Sequence, residues 1–174
     1  MQELFWESVL QEKAAYSQEG KGKLAMFITT SRNAGLLQKR VCKLFGVLFC
    51  DVRHIPRGDT AFKKLFDDSK YLGYKQFLIV SKEKNEIVLE VYCLWDCGYI
   101  LDGSYKLKDV SLRQRVSLAR LRKLPASEKP ELKELLSGAT ENTDRALTIK
   151  TTGNKRVFLF EGQLTGISFN LEKM

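Results

Sequence analysis

The sequence is poor in several features that would point to particular protein classes. Its 174 residues include one histidine, three prolines and four cysteines. No stretch approaches the roughly 18 consecutive apolar residues that a membrane-spanning helix needs. The first twenty residues are acidic and lack the basic start and apolar middle of a secretory signal peptide. We therefore expect a soluble intracellular protein that does not bind membranes. We also expect a monomer.

Motifs that would indicate catalysis are also missing. The chain has no Gly-x-Ser-x-Gly elbow and no phosphate-binding Gly-x-x-x-x-Gly-Lys loop. Its only histidine, His54, lies at a predicted strand end, where a structural role is the simpler interpretation. Cys42, Cys50, Cys93 and Cys97 lie in apolar stretches, which predicts free thiols rather than disulfides or a zinc site. We expect no cofactor, no metal and no enzymatic activity, with a nuclease built on scattered carboxylates left as an open alternative.

The composition is that of a folded domain with an excess of positive charge. Hydrophobic residues make up 44% of the chain and charged residues 29%, which is enough apolar material for a core. The formal net charge is +8. Such a charge favours a polyanion such as nucleic acid, although the placement of the cations has to decide.

Hydrophobic periodicity predicts an α/β fold. Residues 1–23 predict an acidic amphipathic helix and a linker, and the folded region then runs over 24–174. In its first part we predict strands at 24–30, 48–55 and 76–82, a helix at 37–48 and another after residue 60. The apolar stripe of the first helix is Leu37, Val41, Leu44, Phe45 and Leu48. The stretch "EKNE" then predicts a hairpin turn into a strand at 87–95, and 98–110 supplies one or two further strands. Strands that alternate with helices indicate parallel pairing, followed here by antiparallel strands. A second, smaller α/β half is predicted to follow, with a boundary near residue 103.

A first basic cluster follows the predicted carboxyl ends of the first two strands, which is the edge where open α/β sheets bind ligands. The side chains predicted to contact phosphate here are Thr30, Ser31, Arg32, Lys39, Arg40, Lys43, Arg53 and Arg57. The alternative is that Ser31 or Asn33 merely caps the following helix, as Asp59 or Thr60 would cap the next one. The local chemistry leaves both interpretations open.

A second basic cluster follows the hairpin. Between residues 106 and 123 there are seven cationic side chains and one acidic side chain, interleaved with apolar residues. The interleaving predicts a folded basic face, and the planar fork of arginine suits phosphate oxygens. The predicted phosphate contacts in this stretch are Arg113, Arg115, Arg120, Arg122 and Lys123.

Three segments together resemble the Brix domain of ribosome-biogenesis factors: "FITTSRNAGLLQKRVCKLFGVLF", "VRHIPRGDTAFKKL" and "GYKQFLIVSKEKNEIVLEVY". Thr29-Thr30-Ser31-Arg32 and Arg57-Gly58 fit two motifs of that family in order and spacing. The segment "LTGISFNLEKM" resembles its closing strand, with Ser168 where the family has arginine. The chain is similar to the compact archaeal type, nearest the small-subunit-processome branch.

The resemblance implies two half-domains, roughly 24–103 and 104–174, related by a pseudo-twofold axis. Each half would be similar to the anticodon-binding domain of class IIa aminoacyl-tRNA synthetases. It also implies a non-catalytic factor that binds rRNA or pre-rRNA, alongside other assembly proteins, in the cytoplasm or, in a eukaryote, in the nucleolus. The alternative is a tRNA-binding accessory module with the same type of fold.

Overall fold

The computed structural model describes residues 26–138 and 144–174. The helix and linker predicted for residues 1–23 lie outside the described residues. The elements, in chain order, are β1 (Met26–Thr30), α1 (Leu36–Leu48), β2 (Val52–His54), α2 (Phe62–Tyr71), β3 (Gln76–Glu83), β4 (Glu86–Trp95), β5 (Gly98–Leu112), α3 (Leu118–Arg122), a 3-10 turn (Ala126–Glu128), α4 (Leu132–Ser137), β6 (Leu147–Thr152), β7 (Lys155–Phe160) and β8 (Gln163–Lys173). The predicted α/β class is confirmed.

The described strands form one mixed sheet in the order β2-β1-β3-β4-β5-β8-β7-β6. Strand β1 is parallel to both β2 and β3, and the other pairs are antiparallel. The predicted hairpin after β3 is confirmed. Its turn residues Lys84 and Asn85 both have positive φ, as a two-residue turn between twisted strands requires.

Alternation along β1 sends side chains into two separate cores. Ile28 joins the larger core, which also contains apolar residues of α1, α3 and α4. Phe27 joins a smaller aromatic core that is packed against Phe62 and Phe66 of α2. We call the two sides of the sheet the α1 face and the α2 face. This division fixes which side of the molecule each basic side chain occupies.

The predicted boundary near residue 103 falls inside a strand. Gly103 lies in β5, which pairs with β4 on one side and with β8 on the other. The four strands on the β2 side include parallel pairs, whereas the four strands β5-β8-β7-β6 are wholly antiparallel. The two halves, their pseudo-twofold relation and their likeness to anticodon-binding domains stay predictions.

The cysteines do not all behave as the apolar sequence around them suggests. All four are free thiols, but only Cys42 is buried, and Cys97 is exposed in the turn between β4 and β5. Burial raises the pKa of the Cys42 thiol to about 12. None of the helices in the described ranges has the length and apolar character of a membrane span.

Candidate nucleic-acid interface

The first predicted corner forms where β1 and β2 end side by side. The register pairs Ile28 with His54, so both strands finish at the same edge of the sheet. Beyond β1, the Ser31 N–H donates to the carbonyl oxygen of Val80 at 2.9 Å, which holds the chain against β3. Arg32 follows directly and is exposed. Parallel pairing thus places this arginine at the carboxyl end of the first two strands, where open α/β sheets usually bind ligands.

Arg57 is fixed to the protein at the same edge. Its Nε donates to the Thr60 carbonyl oxygen at 3.0 Å, and a terminal nitrogen donates to the Thr30 carbonyl oxygen at 3.4 Å. Partial burial and the nearby positive charge of Arg32 lower the pKa of Arg57. Through these two hydrogen bonds, Arg57 ties the end of β1 to the loop before α2.

The hydroxyl groups of this corner are less available than the sequence suggests. Thr29 is fully buried, and its Oγ1 has no hydrogen-bond partner among the described residues. Thr30 keeps only 9% of its surface exposed, whereas Ser31 is half-buried. Of the three hydroxyl groups, that of Ser31 is best placed to meet a ligand.

The predicted helix caps are wrong. The N-cap of α1 is Gly35 and that of α2 is Ala61, and neither helix has a side-chain cap. The chain first turns at Arg32 and Asn33, so the helix begins later than the polar residues suggest. Ser31 and Asn33 are consequently not caps of α1, so the capping interpretation is wrong.

Helix α1 presents its cations away from the core. Lys39, Arg40 and Lys43 are exposed, while the stripe on the other side of the helix is buried in the larger core. The helix lies close to β2, because a β carbon on Gly46 would lie 2.8 Å from Cβ of His54. Burial and the charge of Lys43 lower the pKa of His54. The α1 cations thus lie on the α1 face beside the end of β2.

Arg53 does not join this group. It pairs in register with Phe27, whereas His54 pairs with Ile28, so Arg53 points to the α2 face. The predicted grouping of Arg53 with the α1 cations is therefore wrong. The period of two along a strand sends neighbouring side chains to opposite faces.

The second basic stretch is divided by the sheet in the same way. Lys106 and Lys108 of β5 point to the α2 face, where each forms an ion pair with Glu86 at 2.7 and 3.8 Å. Lys108 also pairs with Glu172 at 2.8 Å. These two lysines are therefore neutralised and do not extend the basic face.

The arginines after β5 are exposed and are held by β8. The Arg115 N–H donates to the Thr165 carbonyl oxygen at 2.7 Å, and the Ser111 hydroxyl donates to the Gly166 carbonyl oxygen at 3.1 Å. The backbone that carries Arg113 and Arg115 is thus hydrogen-bonded to β8 just before Arg113, at Ser111, and again at Arg115. Their side chains are exposed.

Helix α3 brings the remaining cations to the α1 face. Leu121 is fully buried in the larger core, and α3 packs against α1. Arg122 and Lys123 are exposed. Arg120 is also exposed, but it contacts Glu161 at 3.5 Å and lies 4.7 Å above the ring centre of Phe160. The packing of α3 on α1 joins cations that are about eighty residues apart in sequence.

We call this joined surface the basic face, defined by Lys39, Arg40, Lys43, Arg122 and Lys123. None of these five forms an ion pair with a carboxylate in the described ranges. Their charges are therefore available to an external anion. Within the same ranges, no three His, Cys, Asp or Glu side chains come together as a metal site.

Over the described residues, the fold and this face define an α/β protein with one mixed sheet and an exposed cationic surface. The chain matches no protein-family model and no curated protein. It is similar to the crystal structure of a "probable ribosomal biogenesis protein" from Aeropyrum pernix, with a TM-score of 0.62 and 16% identity, over 87% of this chain and 97% of that one. It is also similar to Mil, an archaeal Imp4-like protein, with a TM-score of 0.55 and 13% identity, over 84% and 96% of the two chains.

At these identities the likeness establishes the fold. Both proteins are of the Brix type, so the resemblance identified in the sequence is confirmed at that level. The chain therefore has the fold of this archaeal group over nearly the whole length of the two proteins.

Proposed function

We propose that this protein is a non-catalytic assembly factor that binds rRNA or pre-rRNA during ribosome biogenesis. The single observation that carries the proposal is the packing of α3 on α1, which brings together on one side of the sheet five cations that pair with no described carboxylate. The names of the two structural neighbours support a place in ribosome assembly. Other assembly proteins are the proposed further partners.

The geometry favours the phosphate backbone as the group recognised. The cations project from helices that are anchored in the larger core, so the backbone that carries them does not have to be ordered when RNA binds. Each cation that neutralises a phosphate releases condensed counterions, which makes binding salt-dependent and largely independent of sequence. We assign the protein no catalytic step.

The test compares two triple variants of equal charge. The first replaces Lys39, Arg40 and Lys43 of α1 with alanine. The control replaces Lys63, Lys64 and Lys75, which are exposed and lie in or beside α2, away from the basic face. Because both variants lose three positive charges, a general effect of net charge is the same in each.

We expect the α1 variant to bind a fragment of ribosomal RNA much more weakly, with a salt slope that falls by about 2. The control should bind nearly as well as the unchanged protein. Fluorescence anisotropy across a salt titration measures both quantities. Equal losses in the two variants, or no RNA binding by the unchanged protein, would contradict the proposal. Competition with tRNA separates the two RNA classes, because a tRNA-binding module would prefer tRNA.

A further inference from the structure

The β4–β5 hairpin carries exposed apolar side chains at its tip. On the α1 face of β4, every second residue is apolar, and Leu89 and Val91 are buried in the larger core. Farther along the same face, Cys93 is half-buried and Trp95 is 63% exposed. Ile100 of β5 pairs in register with Cys93, so it points to the same face, and it is 57% exposed. We call Cys93, Trp95 and Ile100 the hairpin patch.

The described helices leave the hairpin patch open. Helix α1 packs on β1, β2 and β3. On the other side of the hairpin, α2 supplies a partial cover, because the ring centre of Tyr99 lies 5.0 Å from that of Phe62 and 5.1 Å from that of Phe66. A strand of an antiparallel pair that faces water on one side usually carries polar residues there. The apolar residues of the α1 face therefore continue beyond the cover that the described helices provide.

The chain enters the sheet at the same end as the hairpin patch. One row of register pairs runs across the sheet from the start of β1 to β5, through Phe27, Phe77, Tyr92 and Leu101. The patch lies just beyond this row, and β4 is two strands away from β1, or about 10 Å. Residues 17–25 span up to about 30 Å when extended, so the segment before them can reach the patch.

That segment, residues 2–16, has a matching apolar pattern. Phe5, Trp6, Val9 and Leu10 recur at the spacing of three and four residues that gives one stripe on a helix, and three glutamates lie off the stripe. An isolated helix of this length is only marginally stable in water, and packing of its apolar stripe supplies most of its stability. The segment thus needs an apolar surface, and the hairpin patch offers one.

The charges near the hairpin patch do not favour RNA as its occupant. Asp96 and Asp102 are exposed beside the tip. The Lys70 ammonium donates to the Asp96 carbonyl oxygen. Lys75 is exposed, and its carbonyl oxygen accepts from the Leu94 N–H at 2.9 Å. Two cations and two anions therefore balance at this end, whereas phosphate binding depends on an excess of cations.

We propose that residues 2–16 pack as an amphipathic helix on the hairpin patch of the same chain, with their apolar stripe against Trp95 and Ile100. Burial of these large apolar side chains is the driving force. The inference goes beyond the proposed function. It concerns the end of the sheet where β1 begins, whereas Arg32 and the other cations of the first corner follow the ends of β1 and β2.

The two tryptophans of the chain, Trp6 and Trp95, provide the reporters, one on each side of the contact. In full-length protein, Trp6→Phe leaves Trp95 as the single fluorescent indole and keeps an aromatic ring in the stripe. Acrylamide quenching then measures how exposed Trp95 is. A cooperative urea transition shows that each variant is folded.

Two pairs of substitutions are compared in the Trp6→Phe background. Val9→Asp with Leu10→Asp places two charges in the stripe, and the control, Ser8→Asp with Gln11→Asp, places the same charges on the other side of the helix. We expect the quenching constant to rise about twofold in the first variant, because Trp95 loses its cover, and to stay unchanged in the control. Equal quenching in both variants would overturn the inference.

A reciprocal measurement follows Trp6 in a Trp95→Phe background. Ile100→Asp should raise the quenching of Trp6, whereas Leu164→Asp should not, since Leu164 is an exposed leucine at the far end of β8. Unchanged quenching of Trp6 in Ile100→Asp would show that the stripe packs elsewhere, and would overturn the inference. Quenching that rises on dilution, with dimers in sedimentation, would show that a second copy covers the patch, which would overturn it as well.

Discussion

Gly166 lies directly against the backbone of Arg113. A β carbon at Gly166 would lie 1.6 Å from the Arg113 carbonyl oxygen, and the φ angle of this glycine is +82°. The contact joins β8 to the chain just beyond the end of β5. The two exposed arginines, Arg113 and Arg115, lie in this part of the chain. The glycine of the closing motif therefore fixes the backbone from which these arginines project.

Replacing Gly166 with alanine should destabilise the fold and displace those arginines. The positive φ and the clash with the Arg113 carbonyl act together, and we expect the free energy of unfolding to fall by about 2–4 kcal/mol. Gly162→Ala is the matched control, because Gly162 has a φ of +77° but no atom within 4 Å of its added β carbon. The control should cost about 1 kcal/mol. Urea unfolding measures both, and equal losses would contradict the role of the close contact.

Arg32 and Arg57 should respond differently to replacement by alanine. Arg57 donates to two backbone carbonyls, so Arg57→Ala should lower the free energy of unfolding by about 1–2 kcal/mol. Arg32 is exposed, and Arg32→Ala should leave stability within about 0.5 kcal/mol while it weakens RNA binding. Thermal melting and RNA titration of both variants test this. Loss of stability in Arg32→Ala with unchanged binding would show that Arg32 only supports the fold.

Much of the fold follows from local patterns. The apolar stripe of α1 predicts the buried residues Val41, Leu44 and Phe45, and the "EKNE" stretch predicts the hairpin, because both signals depend on neighbours in sequence. Leu37, in the first turn of α1, was predicted to lie in the same stripe but is 42% exposed. Periodicity gives the direction of a side chain, but whether another element covers it depends on the rest of the fold.

The grouping of charges was only partly predictable. Arg122 and Lys43 lie on the same side of the sheet because α3 packs against α1, and no local sequence pattern predicts that packing. Lys108 belongs to the same basic stretch in sequence, but in the sheet it forms an ion pair with Glu172, its diagonal neighbour on β8. Charge counts predict a partner class, whereas strand register decides which charges are free.

His54 should make the stability depend on pH. Its pKa is lowered in the folded protein by burial and by Lys43, so the folded state favours the neutral imidazole. The unfolded state then binds more protons as the pH falls below about 6.5, and stability present above that pH is lost on acidification. His54→Gln removes this titration. The difference in urea midpoint between the two proteins should change between pH 8 and pH 5. A constant difference would contradict the shift.

Arg156 should be the most costly arginine to remove, because it satisfies the end of a helix from inside the fold. It is 6% exposed, and it donates to the carbonyl oxygens of Leu135 at 3.0 Å and Gly153 at 2.7 Å. Leu135 lies in the last turn of α4, where carbonyl groups lack partners within the helix. Arg156→Met leaves both oxygens without these donors, and we expect a loss of about 2–4 kcal/mol.

Arg120→Met is the comparison for Arg156→Met, because Arg120 is exposed and its pair with Glu161 is a surface contact. The free energy of unfolding of Arg120→Met should differ from that of the unchanged protein by less than about 1 kcal/mol, since exposed ion pairs contribute little. Arg156→Lys should recover only part of the loss, because one ammonium cannot reproduce the two directions of a guanidinium fork. Urea unfolding of the three variants ranks their losses in the free energy of unfolding. If Arg156→Met and Arg120→Met unfold alike, the carbonyl contacts of Arg156 do not stabilise the helix end.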